Sequence, residues 1–157
     1  MIWYFAYGSN LDQDRFHARV GEWGNARRAF LPDFRLRFSG EVESEGGGGA
    51  VIEAAPGERV YGGIYAISHD QIAAMDAVEL DSAMNTNLRG IRRTVAVDAD
   101  GARTRAEIYE VPQPSIYRAP SAAYLGHITK GLRDFGYGDD VIAAVEAIAA
   151  SEPSGVS

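Results

Sequence analysis

"YFAYGSNL", residues 4–11, decides how the chain is read. An aromatic, apolar run with little alternation is what a strand covered on both faces requires. It ends abruptly in Gly8, Ser9 and Asn10, and good helix formers follow from Asp12 to Val20. Ser9 and Asn10 are favoured helix N-caps, because their side chains accept hydrogen bonds from N–H groups orphaned in the first turn. A small loop that closes a strand and opens a helix converges several N–H groups on one point, reinforced by the positive end of the helix dipole. Such a loop is suited to a carboxylate or carbonyl oxygen, and Gly8 would let it come close to the backbone. An ordinary capped helix fits the same tetrapeptide, so the loop alone does not separate the two readings.

Working outward, "FRLRFSGEV" alternates with period two, and "GAVIEAAP" and "RVYGGIYAIS" follow as two strands separated by the turn residues Pro56 and Gly57. Gly62 and Gly63 point to a bulge, a barrel corner or the close approach of another backbone. The glycine run at 46–49 lacks the Lys and Ser or Thr of a P-loop and reads as a flexible connection. Ser68 followed by Gln71 is a capping-box pattern that opens a helix of about 10 to 16 residues. "RRTVAVDAD" and "RAEIYEV" read as a hairpin around "DADG", which lacks the ligand spacing of a calcium loop. Two helices close the chain, one after Pro120 and Ser121 and one from Val141 to Ala150. Strands in succession with few intervening helices favour antiparallel pairing. The fold class expected is α+β, a small, mostly antiparallel, partly closed β-barrel with flanking helices. Residues 1–150 form a single domain on this reading, and "SEPSGVS", 151–157, a flexible tail.

The totals narrow the function. With 157 residues and 46% hydrophobic content, the chain can bury a sizeable core. Its net charge is −7 and its basic residues are scattered, so a nucleic-acid partner is not expected. The longest apolar runs, such as "VIAAVEAIAA", fall short of the roughly 20 residues that span a bilayer, and no membrane partner is expected. There are no cysteines, which removes thiol catalysis, thiolate metal sites and disulfides together. "MIWYFAY" has neither the basic flank nor the cleavage site of a secretory signal, and a cytoplasmic location is expected by default.

Chemistry concentrates at one carboxylate. On a helical wheel of about 100° per residue, Ile72, Met75 and Glu79 share the stripe that faces the core. Apolar surroundings disfavour the charged form of a carboxyl and raise its pKa, which suits it to acid–base work near neutrality. Alternatively, Glu79 is satisfied by Arg92, Arg93 or a backbone amide, and geometry alone leaves both readings open. Asp76 lies at the edge of the stripe and serves as the carboxylate for comparison. Ser9 is not in a G-x-S-x-G elbow and no histidine stands out as its base. His17, His69 and His127 are scattered, and Asp14 with His17 supplies too few ligands, so no metal is expected.

"YFAYGSNL" together with "MDAVE" at 75–79 resembles the gamma-glutamylcyclotransferase (AIG2-like) family, as do "ARRAFLPDFRLRF" and "GAVIEAAPGERVYGGIYAIS" between them. The resemblance covers about residues 3–135. It implies a cofactor-independent reaction on a small gamma-glutamyl substrate, either a gamma-glutamyl amino acid or a gamma-glutamylamine. The substrate's α-amine attacks its own γ-carbonyl, closing 5-oxoproline and expelling the amine. Glu79 becomes the catalytic base and acid, and the strand-loop Tyr4, Phe5, Ala6, Tyr7, Gly8, Ser9, Asn10 and Leu11 the substrate site. "PSAAYL" resembles the family's C-terminal segment and adds the Tyr124 hydroxyl, whose other reading is an anchor for the last helices. Two departures, Leu80 in place of a Gly and Ile91 in place of a Tyr, with the long "LDSAMNTNLRG", bear on the leaving amine more than on ring closure. A module that binds a small acidic ligand without catalysis remains the alternative from another class. The oligomeric state is not legible.

Overall fold

A computed structural model describes residues 1–42, 45–80, 90–111 and 116–154. Five strands, β1 (Ile2–Ala6), β2 (Ala26–Ser39), β3 (Gly49–Ile67), β4 (Ile91–Ala99) and β5 (Ala102–Glu110), close into a barrel in the order β1-β3-β2-β4-β5. The sheet is antiparallel except where β5 meets β1 in parallel at Tyr4 and Glu107. The partly closed barrel expected is therefore a closed one. Four helices flank it: α1 (Gln13–Val20), α2 (His69–Glu79), α3 (Ala122–Asp134) and α4 (Asp139–Ser151). None of the described helices is long and apolar enough to cross a membrane.

The two strands expected around Pro56 and Gly57 are one. β3 pairs with β2 along both halves, and between Ala54 and Arg59 four residues stand opposite Asp33 alone. The result is a bulge: Asp33 takes a φ of 66°, Gly57 one of 85°, and the Gly57 N–H donates to Asp33 Oδ1 at 3.0 Å. Farther along β3, the backbone does meet a close neighbour. A Cβ at Gly62 would run into the Ala6 carbonyl and the Phe5 ring, and one at Gly63 into the Phe135 ring. The hairpin at Asp100 and Gly101 has positive φ at both residues, as a tight turn of the primed type requires.

The glycine run is more than a connector. Gly48 donates its N–H to the Ala119 carbonyl at 3.0 Å, and a Cβ there would overlap the Arg118 carbonyl oxygen. The described part of the segment after Ala150 makes contacts with the barrel and the α3 lead-in. Ser151 closes α4, and the buried Glu152 carboxylate accepts from Arg37 Nη2 at 2.7 Å and from the Phe38 N–H at 2.7 Å. The Ala119 N–H reaches the Pro153 carbonyl at 2.7 Å. A buried acid with two such donors cannot be left loose without losing charge-assisted bonds.

One core joins barrel and helices. Tyr4 and Tyr65, paired directly across β1 and β3, face α1, where Phe16 stacks at 5.4 Å from Tyr4 and 4.2 Å from Tyr65. On α3, Leu132 and Ile128 are buried, and Gly131 lets the helix lie against the backbone of Leu11 and Asp12. That contact fixes the loop after β1.

Candidate active site

The last residue of α2 meets the first loop of the chain at one cavity. The Ser68 hydroxyl accepts the Gln71 N–H at 3.1 Å while Gln71 Oε1 accepts the Ser68 N–H at 2.9 Å, the capping box expected. Gln71 Nε2 also donates to the Val20 and Glu22 carbonyls, tying the start of α2 to the end of α1. With Ile72 and Met75 buried, the helical period carries Glu79 to the barrel end.

There a cavity of about 130 Å³ is lined by Tyr4, Tyr7, Gly8, Ser9, Asn10, Ala50, Glu79, Gly90, Tyr109, Glu110, Val111 and Tyr124. Glu79, Tyr4, Tyr7, Gly8, Ser9, Asn10 and Tyr124 thus come together. Phe5, Ala6 and Leu11 do not: all three are fully buried in the core and outside the lining. Leu11 lies instead beneath Gly131.

The loop is a 3-10 turn, Ser9–Leu11, closed by Leu11 N–H to Gly8 carbonyl at 3.0 Å and Asp12 N–H to Ser9 carbonyl at 3.1 Å. The cap of α1 is Asp12, not Ser9 or Asn10; its Oδ1 accepts the N–H groups of Asp14 and Arg15. Tyr65 donates its hydroxyl to the Asn10 carbonyl at 2.8 Å. The Tyr124 hydroxyl accepts the Ala50 N–H at 3.1 Å. At Gly8 a Cβ would stand 3.1 Å from the Tyr124 hydroxyl and 3.2 Å from Ala50 Cβ, a tight fit against the cavity wall.

Arg92 and Arg93 do not satisfy Glu79. Arg92 binds Asp76 at 2.9 Å and Glu107 at 2.6 Å, and Arg93 binds Glu110 at 2.7 Å. Asp76 also accepts the Tyr109 hydroxyl at 2.7 Å, while the Tyr109 carbonyl accepts the Tyr7 hydroxyl at 2.6 Å. Asp76 therefore braces the cavity wall and is not an inert comparison for Glu79. Leu80 caps α2 and packs on the core, and Ile91 opens β4 opposite Glu110. Residues 81–89, most of the long connection, lie outside the described ones.

Electrostatics separates the titratable groups of the lining. Burial, with the Glu79 charge nearby, holds the hydroxyls of Tyr4, Tyr7 and Tyr124 protonated far above neutrality; burial and Asp76 do so for Tyr109. They are donors and acceptors, not bases. Glu110 is clamped by Arg93 through Nε and Nη2. Glu79 retains about a third of its side-chain exposure, since it opens on the cavity. Enough protein surrounds it that desolvation raises its pKa, with Arg19 and then Arg15 pulling the other way.

Sequence reasoning missed Tyr109, Arg19 and Asp12. Asp12 is buried and gathers His127 Nδ1 at 2.8 Å and Lys130 Nζ at 2.9 Å from α3, which holds its carboxyl below the usual range despite burial. A carboxylate in the first turn before a helix was the available signal; its partners, far along the chain, were not.

The family model for gamma-glutamyl cyclotransferase, AIG2-like, matches residues 4–126. The chain is similar to gamma-glutamylcyclotransferase of Mus musculus, 36% identical over 80 residues, which are 48% of this chain and 43% of that protein. The Homo sapiens gamma-glutamylcyclotransferase is 34% identical over the same shares. The match thus spans less than half the length of these curated relatives. A solved gamma-glutamyl cyclotransferase superposes with a TM-score of 0.82 at 26% identity, over 99% of this chain and 90% of that one. A yeast gamma-glutamyl cyclotransferase specific to glutathione shares the fold at a TM-score of 0.62 and 13% identity, over 95% of each chain. A family match over most of the chain, joined to the closed barrel and the cavity between Glu79 and the loop after β1, shows that this chain belongs to the AIG2-like gamma-glutamyl cyclotransferase family.

Proposed function

We propose that the protein converts a gamma-glutamyl amine or gamma-glutamyl amino acid into 5-oxoproline and the free amine, with Glu79 as base and then acid. The observation that carries this reading is that Glu79 and the Gly8–Ser9–Asn10 loop line one cavity, in which the tyrosines are held protonated and the other described carboxylate is clamped. Ionised Glu79 takes a proton from the α-ammonium, and the amine attacks the γ-carbonyl of the same molecule. The C–N bond to the leaving amine breaks as its nitrogen is protonated. Of the three ammonium hydrogens one stays on the lactam nitrogen, and the other two end on the leaving nitrogen, at least one carried by Glu79. Backbone donors of the loop hold substrate oxygens, including the one that gains charge in the tetrahedral intermediate. Because nucleophile and electrophile are tethered, holding the substrate coiled supplies much of the acceleration.

The test is a panel of gamma-glutamyl amino acids, a lysine-linked gamma-glutamylamine, gamma-glutamyl alkylamines and glutathione, with 5-oxoproline as the readout. Release from at least one member is expected. A folded protein that binds members of the panel and turns over none of them would be a binding module instead. With a competent substrate, Tyr124→Phe is expected to lower kcat/KM by about tenfold, the worth of one hydrogen bond of about 1.4 kcal/mol. The Ala50 N–H, at the cavity, then takes a water.

A further inference from the structure

Between the base on α2 and the loop after β1 stands a side chain that belongs to neither. Arg19, in the last turn of α1, points its Nη1 at Asn10 Oδ1, 3.0 Å away, and the same nitrogen is 4.0 Å from Glu79 Oε1. A guanidinium only donates, so it fixes which end of the Asn10 amide faces it. Asn10 Nδ2 is thereby turned to the Tyr4 hydroxyl, which accepts at 3.0 Å. Both Asn10 and Tyr4 line the cavity.

We propose that Arg19 is a positioning residue of this site, whose guanidinium orients the Asn10 amide and stands beside the Glu79 carboxylate, coupling loop and base through α1. This rests on the functional reading above. The geometry has two consequences. The amide of Asn10 presents one fixed face, so the Tyr4 hydroxyl is held as an acceptor toward Asn10 and its proton is directed elsewhere. Beside the base, the guanidinium charge opposes the effect of burial on the Glu79 carboxyl.

Other charged and titratable groups around Glu79 set the size of the second effect. From α1, Arg15 adds a weaker pull in the same direction as Arg19. From β1 and the loop come Tyr4 and Tyr7, from α3 Tyr124, and from β5 Tyr109, all uncharged near neutrality. Glu110, also on β5, is paired with Arg93. An opposite charge at about 4–6 Å lowers a carboxyl pKa by about 1–3 units, and partial exposure puts the expected shift at the low end.

The decisive measurement is a ¹³C-carboxyl NMR titration of Glu79, its signal assigned by disappearance in Glu79→Gln, in the wild type, Arg19→Met and Arg19→Lys. In Arg19→Met the Glu79 midpoint is expected to move up by about one pH unit; in Arg19→Lys, which keeps the charge but not the fork, it should move by less than half of that. With a competent substrate, the acidic limb of kcat/KM should follow the same upward shift, because the base must be deprotonated to act. If Arg19→Met does not fold, Arg19→Gln serves in its place. An unmoved Glu79 midpoint in a folded, uncharged variant overturns the proposal. A wild type that releases no 5-oxoproline overturns the functional reading instead, and the titration still decides whether Arg19 is coupled to Glu79.

Discussion

Glu79→Gln is expected to lower 5-oxoproline release by about 10²–10⁴-fold, the usual worth of a positioned acid–base group. The same substitution should make the fold more stable at neutral and mildly alkaline pH. Burial raises the Glu79 pKa in the folded chain above its unfolded value. Between those two values the folded chain holds more protons than the unfolded one, so the contribution of Glu79 to stability is present below the ordinary carboxylate range and is lost as pH rises through the folded pKa. Gln does not titrate. The stability gap between variant and wild type, measured by urea unfolding across a pH series, should therefore widen in favour of the variant as pH rises and flatten once Glu79 is ionised in both states. A gap that does not change with pH, or an active variant, would remove Glu79 from its role.

The second large effect comes from a residue with no contact to the cavity lining's chemistry. At Gly131→Ala, the new methyl would stand on the backbone carbon of Leu11 and nitrogen of Asp12, neither of which can swing aside. Overpacking of this kind costs about 1–3 kcal/mol. Relief requires α3 or the turn Ser9–Leu11 to move, and a misplacement of about 1 Å can cost about 10²-fold in rate. Gly131→Ala is thus expected to lower both the unfolding midpoint and kcat/KM, with Glu79 untouched. Gly126→Ala is the control: it lies on the same helix with nothing within 4 Å of its added methyl. Replacing a glycine in an exposed helix interior should stabilise by about 0.8–1 kcal/mol and leave turnover alone. Equal behaviour of the two variants would show that the contact of α3 with the turn does not matter.

What could be read from the sequence was local. The capping box of Ser68 and Gln71 and the period of Ile72, Met75 and Glu79 are set within three or four residues of each other, and the helix forms where they place it. The hairpin at Asp100 and Gly101 is equally self-contained. Choices made by distant partners were illegible. Ser9 and Asn10 have the composition of caps, yet the cap is Asp12, whose carboxylate is also held by His127 and Lys130, 115 and 118 positions away. Pro56 and Gly57 have the composition of a turn, yet Asp33 across the sheet makes them a bulge in a continuous strand. For the arginines, Arg92 and Arg93 were near enough in sequence to suggest Glu79, but strand register gives them Asp76, Glu107 and Glu110 instead. The part of the site carried by Tyr109 escaped for the same reason: α2 covers an outward strand position, and no periodicity announces that.

The bulge at residues 55–58 offers a handle. Pro56, Gly57 and Glu58 are exposed, and none of them belongs to the cavity between Glu79 and the first loop. Extra chain at such a projecting tip is entropically cheap, because closure cost grows only slowly with length. A fluorophore or affinity peptide grafted there would report on the barrel while leaving both α2 and the Gly8 loop undisturbed.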